Sequence, residues 1–518
     1  MDVATRLILL LALAIQFTYV RKLVIAMSRT PLLGNTVATL VTWQIYPLSN
    51  LYSRGAITEF LAVCFLNATA CCLVEIAFRG TRDGEWWMAL RLAGLLVLAM
   101  TCHPITLLFG AICLSGLALG CIIFTRRRLE FLRILCFAGT MCGLVMAPWI
   151  YVMSKYAPEL NIVRRTYGQV PSMIYYSFDR LWTRLAFFPW SFDVTAYPLP
   201  HDFTLYLDAQ ANTPLLFLVL ALCLGMGLSV WNGRTERVRL VAKSRGSRPL
   251  VVYLAGLGFV VFGSALWLSV GRHYGAVPIW GFRLPRFLSM LQFAYRLVTY
   301  QNLGILLAAI AASWRGWKRP PSAWLQPSCW LALGLSAAAL MQKCTEAGVT
   351  ATSLRLWTSE EVALSLPTSF YARPDYTITE AVPKIDARPE VPKRGLDLRV
   401  LGGRAFGEVA AAQISLNTTT LVVLNVALFP WNHLYLDGTP ARQDILFRDE
   451  YRAAVWLTGG VHRIEYRFQP DPVWFWLRLT SWCAFLTLVL LNVAATRFTS
   501  SRRLQSGPSS LLAPAPML

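Results

Sequence analysis

Apolar residues in this chain come in long blocks, not in the short periodic runs of a soluble domain. Blocks of roughly 16–24 mostly apolar residues are long enough to cross a ~30 Å hydrocarbon layer. The pattern predicts about eleven spans: 6–20, 31–48, 56–78, 87–101, 105–124, 132–152, 213–231, 250–270, 297–314, 325–341 and 473–495. The first and fourth are short and read as tilted or partial spans. The expected fold is a polytopic α-helical membrane protein.

Basic side chains fill every second gap between the blocks. Arg21, Lys22 and Arg29 come first, then Arg79 and Arg82, then Arg126, Arg127, Arg128 and Arg133. Arg234, Arg237, Arg239, Lys243, Arg245 and Arg248 follow, then Arg315, Lys318 and Arg319, then Arg497, Arg502 and Arg503. Lys and Arg collect on the cytoplasmic side of short membrane loops. This alternation predicts an N-terminus outside, a C-terminus in the cytoplasm, and a multi-pass protein of the inner (plasma) membrane. Gaps 49–55, 102–104, 153–212, 271–296 and 342–472 then lie outside. The loop 153–212 offsets its basic residues with Glu159, Asp179, Asp193, Asp202 and Asp208, as an external loop should.

The rhythm changes in 342–472. Pro367, Pro374, Pro383, Pro389 and Pro392 punctuate a connector. LDLRVLGG, AAAQISLN, TTLVVLNVAL, HLYLDG, AAVWLTGG and HRIEYRFQ then alternate with the period of strands. Asp437-Gly438 and Gly459-Gly460 mark turns. A small external β-sandwich of about 100 residues is predicted there. Trp474, Phe475 and Trp476 open the final span 473–495 as an aromatic belt. The tail 496–518 is expected to be a disordered cytoplasmic segment.

Composition supports lipid as the solvent. Of 518 residues, 56% are hydrophobic and 14% charged, against about 25% charged in soluble domains. Mean hydropathy is +0.49. The net charge of +21 does not indicate nucleic acid, because the positive residues sit in short loops beside apolar blocks. They read as topology signals and contacts to anionic lipid headgroups. Eleven of twelve cysteines (64, 71, 72, 102, 113, 121, 136, 142, 223, 329 and 483) lie in or beside apolar blocks, and Cys344 borders a polar region. No disulfide framework or CxxC zinc pattern is present. The first block lacks a strong positive n-region and an A-x-A-like cleavage site, so it reads as a retained span.

Four stretches carry candidate chemistry. In YPLSNLYSRGAITEFLAV, Arg54 and Glu59 lie close to the membrane, where ionisable groups face a cavity or each other. They read either as a structural ion pair or as a substrate-facing arginine and carboxylate at a cleft mouth. His103, at the external turn TCHP, is either a hydrogen-bonded turn residue or a substrate contact. The aromatic, Pro-rich run 187–208 reads as a lid or as a headgroup-level surface loop, with Asp193, His201 and Asp202 as acid/base candidates. No compact ligand spacing supports a metal there, and the residues single out no cofactor. In FRLPRFLSMLQFAYRLVTY, Arg283, Arg286, Gln292 and Arg296 stand on the side where the positive-inside rule disfavours them. They match an anionic group such as a lipid diphosphate, or an interfacial amphipathic helix.

The block YPLSNLYSRGAITEFLA, TCHPITLLFG, FLSMLQFAYRL and VALFPWNHLYLDG … WLTGGVHRIEYRFQP, in this order, resemble bacterial YfhO-like integral membrane proteins. Some of these carry the label 6-pyruvoyl-tetrahydropterin synthase-related membrane domain, which is not a sign of pterin chemistry. The resemblance covers about residues 25 to 495. It implies a GT-C class glycosyltransferase with an extracytoplasmic site and a polyprenyl-phosphate-linked sugar donor. It also implies acidic catalytic residues in a first large external loop, and here the chain departs from the pattern. The gap 49–55 holds no Asp or Glu. An N-out start is what would remain if an initial span and its acidic loop were missing. The chain would then be truncated, complemented by a separate chain, or non-catalytic. Under the resemblance, Glu59, Asp193 or Asp202 would serve as general base. Arg286 and Arg296 would stabilise the departing phosphate, with Arg54, His103 and Gln292 in the binding site. Two alternatives stay open: a transporter or flippase of lipid-linked saccharide, and a non-enzymatic assembly factor whose segment 342–472 binds an envelope protein.

Overall fold

The computed structural model describes residues 3–54, 56–79, 86–125, 127–156, 211–232, 248–270, 294–315, 322–353, 393–400, 409–426, 432–442, 445–449, 452–468 and 471–505. It is mostly helical. In chain order the helices are α1 (Val3–Ser28), α2 (Pro31–Thr42), α3 (Ile45–Arg54), α4 (Ile57–Arg79), α5 (Trp86–Cys102), α6 (Pro104–Phe124) and α7 (Arg128–Tyr156). Next come α8 (Thr213–Asn232), α9 (Arg248–Val270), a 3₁₀ turn (Ala294–Leu297), α10 (Val298–Ala312), α11 (Ser322–Ser353) and, after the strands, α12 (Pro472–Gln505).

Among the described residues six helices are long and apolar enough to cross a membrane: α1, α4, α7, α9, α11 and α12. The shorter α5, α6, α8 and α10 are also apolar. Leu7, Leu10 and Leu11 on α1, Phe259 on α9, Trp330 on α11 and Trp476, Trp482 and Leu490 on α12 are exposed. Apolar surface on this scale needs lipid around it. These are the helices of a membrane protein. A helix apolar all round belongs in the interior, and α4 and α10 are such helices. Nearly every residue of α10 is buried. The interior is one large apolar cluster built on α4, α5, α10 and their neighbours.

Cross-links fix how the helices are stacked. Lys22 on α1 meets Glu75 on α4 at 2.9 Å, and Arg21 Nε donates to Asn35 Oδ1 on α2 at 2.7 Å. The Arg315 amide donates to Met27 O, and the Phe124 ring packs on Tyr253 of α9. Asn492 Nδ2 on α12 donates to Leu90 O on α5. One end of the bundle thus gathers Arg21, Lys22, Arg29, Arg127, Arg128, Arg248 and Arg315. The opposite end carries the start of α1, α4 and α6, the ends of α3, α5 and α7, and both attachments of the strand region.

Several element boundaries differ from the sequence expectation. Arg21 and Lys22 do not close the first helix, because their heads find partners on α2 and α4 while their stems stay on α1. The block 31–48 is not one helix: α2 stops at Thr42 and α3 restarts at Ile45. In a continuous helix the Pro47 ring would clash with the carbonyl of Trp43 and supply no donor. As the third residue of α3, Pro47 gives up only an amide that lacks an intrahelical partner anyway. α12 also runs past 495 to Gln505, and 506–518 lie outside the described residues.

Nine strands lie between α11 and α12 among the described residues: β1 (Lys393–Leu396), β2 (Arg399–Val400), β3 (Val409–Leu416), β4 (Thr420–Leu424), β5 (Asn432–Leu436), β6 (Thr439–Pro440), β7 (Leu446–Asp449), β8 (Arg452–Leu457) and β9 (Gly460–Phe468). They form a four-stranded sheet, β1-β4-β8-β7, and a five-stranded sheet, β2-β3-β9-β5-β6. Alternate residues of both sheets (Val422, Leu424, Val455, Ile414, Leu434 and Ile464) share one apolar cluster. Asp437-Gly438 makes the β5–β6 hairpin with φ of 49° and 82°, the pair of positive values that a two-residue type I′ turn requires. Gly459-Gly460 joins β8 of one sheet to β9 of the other.

Candidate functional site

Polar groups inside an apolar bundle need partners, and two levels of the bundle supply them. The deeper level lies at the end of α2, whose last carbonyls have no helical partner. Gln16 Nε2 on α1 donates to Val41 O at 2.9 Å, and Asn67 Nδ2 on α4 donates to Gln16 Oε1 at 3.4 Å. Asn212 Nδ2 donates to Leu40 O at 2.8 Å, and the Asn212 amide donates to Asn302 Oδ1 on α10 at 2.7 Å. Asn212 also accepts from the Leu215 amide at 3.2 Å, as an N-cap of α8. All four amide side chains are buried. Asn67 falls near the midpoint of α4, so this level is the middle of the bundle. There α2 ends and α8 begins, and α10 begins about one turn further out.

The second level lies toward the end opposite the basic clusters. Glu59 is in the first turn of α4, eight residues before Asn67 and so about 12 Å further out. Its carboxylate is 3% exposed. The fully buried Tyr46 of α3 donates its hydroxyl to Glu59 Oε1 at 2.9 Å. Arg296, in the 3₁₀ turn before α10, places Nε 3.7 Å from Glu59 Oε2. The arginine side chain is 13% exposed. A buried carboxylate costs far less when a cation and a hydroxyl face it. Two consecutive helices and a turn far along the chain thus converge on one carboxylate.

The sequence singled out Glu59 and Arg296 separately, and the structure brings them together. His103 is the N-cap residue of α6 with extended backbone, and its ring does not cap its own helix. It follows Cys102, which packs near Leu51, Phe60 and Cys64, so it sits at the same end of the bundle as Glu59. Arg54 is the last residue of α3, and its side chain lies outside the described atoms. Asp193, Asp202, Arg286 and Gln292 lie outside the described residues. Among the described residues no group of three or more His, Cys, Asp and Glu could hold a metal ion.

Sequence reasoning missed Tyr46 and Asn212. Tyr46 carried no signal, because its role depends on the break in the block 31–48. Asn212 did carry one: Asn-Thr-Pro before an apolar run is a helix start, with the Asn as cap and Pro in the first turn.

Further charge clusters lie at the α7–α12 end of the bundle and on the strand region. Asp471, next to α12, accepts from the Tyr151 hydroxyl at 2.8 Å, from Lys155 and, at 2.8 Å, from the Val473 amide. The Lys155 bond, then the Val473 amide and Tyr151, hold its carboxyl down at about 2. On the β region, Glu465 bridges Arg463 at 2.8 Å and Arg467 at 2.5 Å, and its carboxyl is lowered chiefly by the Arg467 bond. Asp437 accepts from the Arg463 amide and meets His462 at 2.9 Å, which lowers its carboxyl too. The Asp471 and Asp437 clusters tie neighbouring elements together, and the Glu465 cluster joins three residues along β9.

Compared with known proteins, the chain matches no family model, no curated protein and no solved structure.

Proposed function

We propose that this chain is a membrane-embedded glycosyltransferase of the GT-C kind, related to the YfhO-like proteins it resembles. It would take a sugar from a polyprenyl-phosphate-linked donor and pass it to an envelope acceptor. In this reading about eleven segments thread the inner membrane, with the N-terminus outside and the C-terminus in the cytoplasm. The Glu59 end then faces the extracytoplasmic side, together with a β-sandwich between α11 and α12.

The observation that carries the reading is the Tyr46–Glu59–Arg296 cluster, at the end of the bundle remote from the basic clusters. Glu59 would take the proton from the acceptor hydroxyl as that oxygen attacks the anomeric carbon. The sugar–phosphate bond breaks with its electron pair going to the phosphate oxygen, and the Arg296 guanidinium stabilises that charge. While no phosphate is bound, Arg296 and Glu59 neutralise each other. An arriving phosphate competes for Arg296 and leaves the carboxylate free to act as base, with Tyr46 holding its orientation.

Membranes containing the full chain, incubated with labelled polyprenyl-phosphate sugar, test the proposal. Transfer should fall at least about 100-fold in Arg296→Ala. Unchanged transfer would remove Arg296 from the mechanism.

The interrupted helix α2 and the mid-bundle amides favour a second reading, a flippase of lipid-linked saccharide, since broken helices at mid-membrane often bind transported polar groups. A flip assay in proteoliposomes separates the two: flipping without transfer supports the second. Partner binding by the strand region without either activity would support an assembly factor.

A further inference from the structure

A primary amide side chain carries one acceptor and two donor hydrogens. In the mid-bundle layer most of this capacity is used. Asn212 donates from Nδ2 to Leu40 O and accepts at Oδ1 from the Leu215 amide, and Gln16 donates from Nε2 to Val41 O and accepts at Oε1 from Asn67 Nδ2. Asn302 differs. Its Oδ1 accepts the Asn212 amide at 2.7 Å, but its Nδ2 has no hydrogen-bond partner among the described residues. The residue is 4% exposed. Turning the amide over would set two donors against each other, so the Asn212 amide fixes which way Nδ2 points. A buried donor held in one direction takes its acceptor from beyond the described residues, and a bound ligand is one source of it.

Its position says what that acceptor belongs to. Asn302 lies six residues beyond Arg296 on the same run of chain, about 9 Å deeper along the helix axis. A cation at the outer level is thus followed by a neutral donor at the inner level. A phosphate suits the first, and a hydroxyl or ring oxygen suits the second. A phosphorylated sugar presents both groups in that order. We propose that Asn302 Nδ2 donates to the sugar of a lipid-linked saccharide whose phosphate sits on Arg296, and so reads which sugar is accepted. This rests on the function proposed above.

The test uses the purified full chain in detergent. Its affinity is measured for a polyprenyl phosphate and for the same lipid bearing glucose, galactose, mannose or arabinose. The wild type should gain about tenfold in affinity from at least one of the sugars. In Asn302→Asp, which keeps the acceptor for Asn212 but loses the donor, that gain should shrink below about twofold. Asn302→Ala, which adds no charge, supplies the same comparison should the aspartate unsettle the fold. Two results overturn the inference while leaving Arg296 as the phosphate site: a wild type that binds bare and sugar-bearing lipids alike, or variants that keep the full gain. In the second case the amide donates to a buried water only. A wild type that binds none of the lipids, or an Arg296→Ala variant that binds bare polyprenyl phosphate as the wild type does, overturns the function itself.

Discussion

The two ends of α4 carry the same kind of group in different settings. Glu75 meets Lys22 of α1 at 2.9 Å, between two helices packed along their length. Lys22 is 36% exposed, so its charge stays partly hydrated. Such a pair closes a helix contact and leaves nothing for a ligand to displace. Glu59 meets Arg296 at the longer distance of 3.7 Å, and its partners come from a short helix after the helical break at 43–44 and from a 3₁₀ turn. Helices α2, α8 and α10 all have an end near the level beneath it. One carboxylate belongs to the frame. The other belongs to a place where the frame is interrupted, which is where polar ligands enter helical membrane proteins.

The largest effect expected of this contrast is on activity. Glu59→Gln should lower sugar transfer by about 100-fold or more, the scale of losing a general base, with little change in thermal midpoint. Glu75→Gln should leave transfer within about twofold and lower the midpoint instead. Equal losses in both variants would erase the distinction between the ends. The next effect concerns how Arg296 is placed. α9 and α10 cross so closely that a Cβ at Gly304 would lie 2.6 Å from Gly258 O, and one at Gly258 would lie 2.7 Å from Gly304 O. Small residues are what permit backbones in membranes to approach in this way. Gly304→Val should cost about 1–3 kcal/mol in detergent unfolding and should weaken phosphate binding as well, because the turn that carries Arg296 runs directly into α10.

Smaller effects sharpen the contrast from the frame side. Lys22→Met should cost about 1–2 kcal/mol, because it removes the cation 2.9 Å from the buried Glu75 while Lys22 itself is partly hydrated, and should leave lipid binding intact. Loss of binding in that variant would join the two ends into one unit. The smallest effect is at Asp471. Its carboxyl is depressed in the folded state, so the stability it adds is fully present above its ordinary value of 3.8 and disappears as pH falls through about 2. The stability difference between wild type and Asp471→Asn should be constant from pH 8 to pH 5, shrink below pH 4 and vanish near pH 2. A difference that changes between pH 5 and 8 would assign the contact to another group.

Long-range apolar blocks and period-2 alternation made the bundle and the strands legible. HRIEYRFQ shows its pattern within eight residues, because Ile464 faces the apolar cluster while its neighbours Arg463 and Glu465 face out. The break in α2 was legible only through Pro47, inside a run whose other residues favour a continuous span. Glu59 and Arg296 were each conspicuous as ionisable groups beside apolar blocks. Their meeting was not legible, since 237 positions separate them and only the packing of α4 against α3 and the α10 entry brings them together. Asn302 is a polar residue inside the apolar block 297–314, but its spare donor depends on where the Asn212 amide points, which no local pattern encodes.

The central claim is that the Glu59 end and the basic end lie in different compartments. Single cysteines at Gln413 on β3 and at Arg315 beside α10, both exposed positions, test it with a membrane-impermeant thiol reagent on intact cells. The wild-type chain with its twelve native cysteines serves as background. The account predicts labelling above background at 413, and at 315 only after the cells are opened. Labelling at 315 in intact cells with 413 shielded would put the carboxylate and arginine on the cytoplasmic side and contradict the proposed reaction.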